Sequence, residues 1–344
     1  MKAAVLRGKK DIRVENIDVP ELNANHVLVK VKAVGICGSD VHAFTHLTFP
    51  PGTIMGHEFT GVIAKIGPGT AKWKIGDRVA VRPCGVCGEC FWCKNGQISL
   101  CPTHMQTTLG LKTPGAYAEY VSVPEYQLYS LPENVTYEQA AQLEPVTVCL
   151  HTMDMAEIRI GENVLIYGAG PLGLLIFQLA KMAGANEIYV VEKSKFRREK
   201  ALELGAEYVF PPEEFTRSKV IDSLPRKGVD KVFECAGVQS TIQESFEMVR
   251  KGGRIVLLGI NPEPIQLDHF KWIVKGVEAR ASIGYFEGDF RRALDLVANR
   301  KINVDMLVSD IIALDDIVPQ GFNRLLSPEG VLKILVNPEK EWKT

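Results

Sequence analysis

Cys87, Cys90, Cys93 and Cys101 stand in the spacing C-x2-C-x2-C-x7-C. Such spacing lets one compact lobe turn four thiolates toward a single point, and Zn²⁺, whose d-shell imposes no geometry, accepts four sulfurs tetrahedrally. The pattern predicts a closed structural zinc site in a lobe over residues 84–101. Disulfides are the alternative. They are disfavoured because half of the eight cysteines crowd between positions 87 and 101 and nothing at the N-terminus resembles a secretory signal. Cys84 could shift the register to 84/87/90, but the register ending at Cys101 supplies a fourth ligand.

A second set of ligand types lies upstream, in Gly35-Ile-Cys37-Gly-Ser39-Asp40-Val-His42 and in Gly56-His57-Glu58. A lone Cys or His is usually a packing residue. Here both end β-type runs, both are flanked by glycines and acidic residues, and the same chain already carries a zinc lobe. Three protein ligands with an open position make a catalytic zinc site. Cys149 and Cys235 lack any partner motif and read as structural.

The third constellation is a turn. Val164–Tyr167 leads into Gly168-Ala-Gly170-Pro-Leu-Gly173 and then an apolar helix. GxGxxG alone is a weak signal, but strand before and helix after meet its context. The glycines allow a tight turn and close approach to a pyrophosphate at the helix N-terminus. Glu192, nineteen residues beyond Gly173, can accept hydrogen bonds from the ribose hydroxyls and repels a 2′-phosphate, which favours NAD over NADP. Lys193, Lys195, Arg197 and Arg198 work against that preference unless they form a solvated first helical turn.

The 344 residues suggest about two domains, with 46% hydrophobic and 24% charged residues as in ordinary globular proteins. A formal charge of −1 leaves no electrostatic footprint for nucleic acid or an anionic membrane. The longest apolar stretch, 164–180, is broken by Gly168, Gly170, Pro171 and Gly173, so it reads as strand, turn and helix rather than a membrane span. A cytoplasmic location is expected, where reduced thiols favour metal over disulfide.

These residues need elements to position them. Up to about 130 the chain holds short β-type runs, among them 27–34, 62–66, 78–82 and 117–123, punctuated by Gly and Pro. This predicts a barrel-like or sandwich body with the cysteine lobe as an excursion. Residues 137–156 read as one helix. Beyond them, strand candidates 163–167, 187–191, 230–234 and 254–258 alternate with helix candidates 171–183, 194–204, 240–250 and 289–299. That alternation predicts an α/β, doubly wound parallel sheet. A β-leaning tail from about 300 includes 331–336.

The chain resembles the zinc-dependent medium-chain alcohol and polyol dehydrogenases. The resemblance rests on GICGSDVH at 35–42, GHEFTG at 56–61, the four-cysteine lobe, LEPVTV at 143–148, GAGPLG at 168–173, and Glu192 with Arg197. It spans essentially the whole chain in family order. It implies a GroES-like β-rich catalytic domain at 1–147, a Rossmann NAD-binding domain at 148–288, and a return to the catalytic domain at 289–344. Carried over residue by residue, Cys37, His57, Glu58 and Glu144 resemble the catalytic-zinc ligands, of which three bind at once. A glutamate at 144 is similar to the sorbitol, threonine and butanediol dehydrogenase branches. Ser39 and His42 resemble the proton relay, together with Glu144 as a catalytic group. Gly168, Gly170, Leu172, Gly173, Glu192, Arg197, Leu258, Gly259, Ile260 and Ile283 match NAD contacts. Two departures stand out. Only 20 residues separate Cys37 from His57, fewer than in sorbitol and threonine dehydrogenases, and Gly115-Ala116 replaces a double glycine.

The resemblance implies one catalytic and one structural zinc per chain, an NAD cofactor, a small alcohol or polyol substrate, and a homodimer or homotetramer. The expected reaction moves a hydride from a secondary alcohol of a polyol to NAD. Zinc assists by lowering the alcohol's pKa as it does that of bound water, and Ser39 hands the proton through the cofactor ribose to His42. Oxidation of threonine, an amino-alcohol, a diol or a polyol phosphate is the alternative, although residues 43–55 hold no Lys or Arg for an anionic substrate. A non-catalytic zinc- and nucleotide-binding protein would have lost a ligand or relay residue, and none is missing. His46 lies in the shortened loop, whereas His26, His104, His151 and His269 read as surface or packing residues. Phe44, Phe49, Phe91 and Leu109 serve equally as pocket walls or as core.

Overall fold

A computed structural model describes residues 1–340 except Lys219, Pro262 and Pro328, and omits the side chain of Ser223. The chain divides into two compact units, residues 1–147 with 285–344, and residues 148–284. In chain order the strands are β1 (Lys2–Gly8), β2 (Asp11–Asn16), β3 (His26–Gly35), β4 (Glu58–Ile66), β5 (Arg78–Val81), β6 (Tyr120–Pro124) and β7 (Leu128–Ser130). These are followed by β8 (Val164–Tyr167), β9 (Ile188–Val191), β10 (Tyr208–Phe210), β11 (Val229–Glu234), β12 (Val249–Leu257), β13 (Glu278–Ala281), β14 (Val308–Ala313) and β15 (Lys333–Asn337). The helices used below are α1 (Gly38–His46), α2 (Phe91–Lys94), α3 (Leu143–Ala156), α4 (Pro171–Met182), α5 (Lys195–Glu203), α6 (Gln239–Met248), α7 (His269–Lys275) and α8 (Asp289–Ala298).

In the first unit a seven-stranded sheet runs β14-β15-β3-β4-β5-β7, with β6 also paired to β3. Alternation makes β3 its centre. Val27, Val29 and Val31 are fully buried in the core, each worth about 1.5–3 kcal/mol over an exposed position. Lys30 and Lys32 on the other face pair with Glu339. The β3–β4 register sets Gly35 opposite Glu58, so Cys37 and His57, just beyond these strand ends, become neighbours.

In the second unit all six strands are parallel, in the order β10-β9-β8-β11-β12-β13. This is the Rossmann order, in which the direction of winding reverses between β8 and β11. The strands β8, β9 and β11 are buried along their whole length, as expected of a parallel sheet covered on both faces.

Several expectations change. Residues 137–156 are not one helix. Thr136 and Gln139 form a reciprocal cap on a single turn at Tyr137–Ala140, and a new helix, α3, starts at Leu143. The tail after 300 is not simply β, since Leu314–Leu325 is helical. The strands β10 and β13 and the helix α7 lie outside the expected elements. β10 has three residues and β13 has four, too few for an alternation of two to stand out along the sequence.

Candidate active site

Cys37 is the N-cap of α1, where its backbone N–H donates to Asp40 Oδ2 at 3.0 Å. Asp40 is fully buried and also accepts the Tyr117 hydroxyl at 2.6 Å. Its Oδ1 lies 3.6 Å from His57 Nδ1, and neither atom has a hydrogen-bond partner among the described residues. These two orphaned atoms face each other. A small approach makes an Nδ1–H···O bond, fixes the tautomer and leaves Nε2 free as a ligand, as carboxylates commonly do for metal-binding histidines. Burial opposes charge on His57, but the anions at Asp40, Cys37 and Glu144 outweigh it and raise its pKa well above the ordinary value.

Glycines make room here. A side chain at Gly35 would overlap the Glu58 carboxylate, and one at Gly56, whose φ is +94°, would meet the Tyr117 ring at 2.8 Å. Ligand atoms of Cys37, His57 and Glu58 all lie within 4.8 Å of one another. One thiolate, one imidazole and one carboxylate form a donor set that fits zinc. Glu144, in the first turn of α3, does not join that group. It is half-buried. Burial, reinforced by Glu58 and Asp40 against the pull of His57 and Lys333, pushes its carboxyl up to about 7.

Sequence reasoning missed Lys333. On β15, which pairs with β3, its ammonium donates to both oxygens of Glu58, at 2.9 and 2.6 Å, and to the Ile36 carbonyl at 3.2 Å. Both residues are buried. The signal in the sequence was a lysine inside the otherwise apolar run 331–336. Asp40 and Tyr117 were likewise not singled out as supports of His57. Ser39 and His42 are half-buried on α1, and the His42 ring stacks on exposed His46 with centroids 5.8 Å apart. Phe44, Phe49 and Leu109 belong to the hydrophobic core, whereas Phe91 is exposed on the lobe, edge-on to Trp92.

The four lobe cysteines are free thiols whose sulfurs lie mutually within 4.8 Å. Cys90 caps α2 and accepts Cys93 N–H at 3.4 Å, and Cys101 accepts Cys87 N–H at 3.5 Å. Burial resists ionisation of Cys101, but the Thr103 hydroxyl and backbone N–H groups overcome it and bring the thiol down to about 6. Such N–H···S donors suit a zinc-thiolate centre. Cys84 is not part of it. Its thiol meets His104 Nδ1 at 3.1 Å, and burial pushes it up to about 12. The lobe is moored by Ser99, which donates to the Tyr285 carbonyl at 2.6 Å and accepts the Tyr285 N–H at 2.8 Å.

In the second unit Gly168 has φ +91°, Gly170 caps α4, Pro171 opens it, and a side chain at Gly173 would overlap the Gly168 carbonyl. Glu192 is buried at the end of β9 and accepts Ala169 N–H and Ser194 N–H, each at 2.8 Å. A carboxylate has about four acceptor positions, so two remain for ribose hydroxyls. The basic run divides. Lys193 and Lys195 are exposed, Arg198 donates to the carbonyls of Glu192 and Lys193, and Arg197 reaches inward to within 3.7 Å of where a Gly170 side chain would begin. Arg197 Nε is buried without a partner among the described residues. Leu258 is buried at the end of β12, while Ile260 and Ile283 are exposed.

Residues 23–133 match the alcohol dehydrogenase GroES-like domain family and 171–299 the zinc-binding dehydrogenase family. The chain is 34% identical to (R,R)-butanediol dehydrogenase of Bacillus subtilis (strain 168), over 98% of this chain and 100% of that protein. The chain belongs to the zinc-dependent medium-chain alcohol and polyol dehydrogenases. Another member of this family, sorbitol dehydrogenase of Bacillus subtilis (strain 168), is 31% identical over 99% of this chain and 98% of its own. A zinc-binding dehydrogenase from Sinorhizobium meliloti 1021, solved bound to NADP, is 34% identical with a TM-score of 0.88, covering 98% of this chain and 99% of that one. This medium-chain dehydrogenase is thus a zinc-dependent oxidoreductase of CH–OH donors with a GroES-like and a Rossmann fold. Among the described residues, no helix is long and apolar enough to cross a membrane.

Proposed function

We propose that the enzyme oxidises an uncharged secondary alcohol of the polyol or vicinal-diol class with NAD. The convergence of Cys37, His57 and Glu58, with Glu144 beside them, carries this reading. The unit of 1–147 with 285–344 would hold the catalytic zinc on those residues and the structural zinc on Cys87, Cys90, Cys93 and Cys101, and the unit 148–284 would hold the dinucleotide. Bound zinc supplies Lewis-acid polarisation of the substrate oxygen and lowers its pKa. Asp40 holds the His57 ring. Ser39 takes the substrate proton and His42 carries it toward solvent. Glu144, whose carboxyl is near neutrality in its affinity for protons, is suited to hold a second substrate hydroxyl. Lys333 commits its ammonium to Glu58 and the Ile36 carbonyl, which favours an uncharged substrate over a phosphorylated or amino-acid one. A panel of sorbitol, xylitol, butanediol, threonine, a polyol phosphate and ethanol, followed by NADH formation, tests this. Fast ethanol turnover with no polyol or diol oxidised would overturn it.

Cofactor choice gives a second measurement. Glu192 placed against a 2′-phosphate would bring two anions together in a partly desolvated site, while Arg197 offers some compensation. A preference for NAD of at least about tenfold in kcat/KM is expected, or ~1.4 kcal/mol, and Glu192→Ala should erode it. Better catalysis with NADP by the unmodified enzyme would transfer control of the site to Arg197.

The enzyme is also read as a cytoplasmic homo-oligomer, dimeric or tetrameric. Its free thiols call for a reducing compartment. The edge strand β13 is continued by exposed Ile283, and α7 exposes Phe270, Ile273 and Val274 at 68%, 67% and 56%, apolar side chains that association with a second copy would cover. Phe270→Glu combined with Ile273→Glu should lower the mass seen by light scattering. A monomeric wild-type enzyme would refute this assignment.

A further inference from the structure

We propose that Glu234 is a positioning residue for the dinucleotide, locking the strand-end turns that border the Gly168–Gly173 loop. The inference rests on the reading of that loop as the NAD site. Glu234 is the last residue of β11, at the carboxyl edge of the parallel sheet where such folds bind ligands. It is completely buried, an unusual place for a carboxylate. Three donor groups reach its carboxylate in four contacts. Oε1 accepts Ala236 N–H at 3.0 Å, Gly237 N–H at 2.9 Å and the Thr241 hydroxyl at 2.7 Å, and Oε2 accepts Gly237 N–H at 3.1 Å. Its backbone carbonyl accepts Leu258 N–H at 2.9 Å and Gly259 N–H at 2.8 Å. One residue therefore ties the turn after β11 to the turn after β12.

Glycines let these turns close on each other. A side chain at Gly259 would overlap Gly237 N and come within 2.7 Å of Glu234 Oε2. One at Gly237, whose φ is +66°, would lie 2.6 Å from the Ile260 carbonyl. The first glycine of the dinucleotide loop abuts the same assembly, since a side chain at Gly168 would stand 3.2 Å from Ala236 N. The ends of β8, β11 and β12 thus form one close-packed block, in which the Glu234 carboxylate holds the turn after β11 and its backbone carbonyl holds the turn after β12. Around it Ala236, Val238 and Ile260 are exposed, apolar surface that a cofactor lying across these turns would cover. A glutamine is a poorer fit, because its carbonyl can take the place of Oε1 but its amide NH2 would then face the Gly237 N–H where Oε2 now accepts.

The test uses the intact enzyme and Glu234→Gln, with Thr241→Val as a milder change that removes one donor. NADH and NADPH affinities are measured by fluorescence titration, with KM for NAD, kcat and the melting temperature of each cofactor-free protein. Glu234→Gln is expected to weaken NADH binding and raise KM for NAD about tenfold or more, with kcat at saturating NAD within about threefold, the pattern of lost binding rather than lost chemistry. Thr241→Val should move the same quantities by about threefold. Unchanged NADH affinity in folded Glu234→Gln, or in Thr241→Val if the former does not fold, overturns the proposal even if the melting temperature falls. Failure of the wild-type enzyme to bind either nucleotide would instead overturn the assignment of the loop.

Discussion

Cys37→Ser is expected to abolish turnover while leaving the protein folded. The substitution replaces a thiolate, which binds zinc tightly, with a hydroxyl that stays protonated and binds it poorly. Cys37 also acts as the N-cap of α1, a position where serine is among the preferred residues, so the local backbone has no reason to change. A fall in kcat of at least about a thousandfold is expected, equivalent to roughly 4 kcal/mol in the barrier. The melting temperature should move by a few degrees at most. Metal analysis should show the two candidate centres reduced to the cysteine lobe alone. Retained activity would remove Cys37 from the catalytic centre. Loss of both metals would mean that the two centres are not independent.

Lys333→Met is expected to produce the largest change in stability. The ammonium and the Glu58 carboxylate are both buried and, among the described residues, bond to each other and to one backbone carbonyl. Removing one partner strands the other charge away from water, which costs about 3–5 kcal/mol. For a folding unit of the size of 1–147 with 285–344, that is a fall in melting temperature of roughly 6–20 °C. Two controls separate charge from packing. Adding Glu58→Gln to Lys333→Met should restore much of the loss, because no stranded charge remains. Zinc should also narrow the gap, since a cation at Cys37, His57 and Glu58 would neutralise the carboxylate that lysine no longer meets. A metal-free Lys333→Met protein as stable as wild type would show that the pair does not hold Glu58 in place.

The parts of the site legible in the sequence are those built from local spacing. The cysteine lobe closes within residues 87–101, and the glycine turn of 168–173 sits between its own strand and helix. The family resemblance brought Cys37, His57 and Glu58 together, and the register that joins them is the pairing of Gly35 with Glu58 across β3 and β4. What remained hidden depends on partners distant in the chain. Lys333 reaches Glu58 only because β15 lies beside β3, and Tyr117 reaches Asp40 from outside either ligand motif. Spacing along a sequence reports periodicity and not which strand ends meet. Glu144 illustrates the same limit. Its motif places it at the start of a helix, but only the fold decides how near its carboxylate comes to the group of Cys37, His57 and Glu58, and it lies outside the mutual 4.8 Å that those three share.

The bond between Lys333 and Glu58 spans 275 positions of the chain. At ~5–20 residues per second on a ribosome, the acid is made roughly 14–55 s before the base. In that interval β3 and β4 can pair, because their residues are already present, but the carboxylate has no ammonium and must stay in water. The segment 148–284 is under no such constraint, since its six strands pair only among themselves. It can finish folding while the other unit is still waiting for β14 and β15. The same late strand that completes the sheet beside β3 then delivers the counter-charge, so closing the core and neutralising Glu58 become a single event that waits for residue 333.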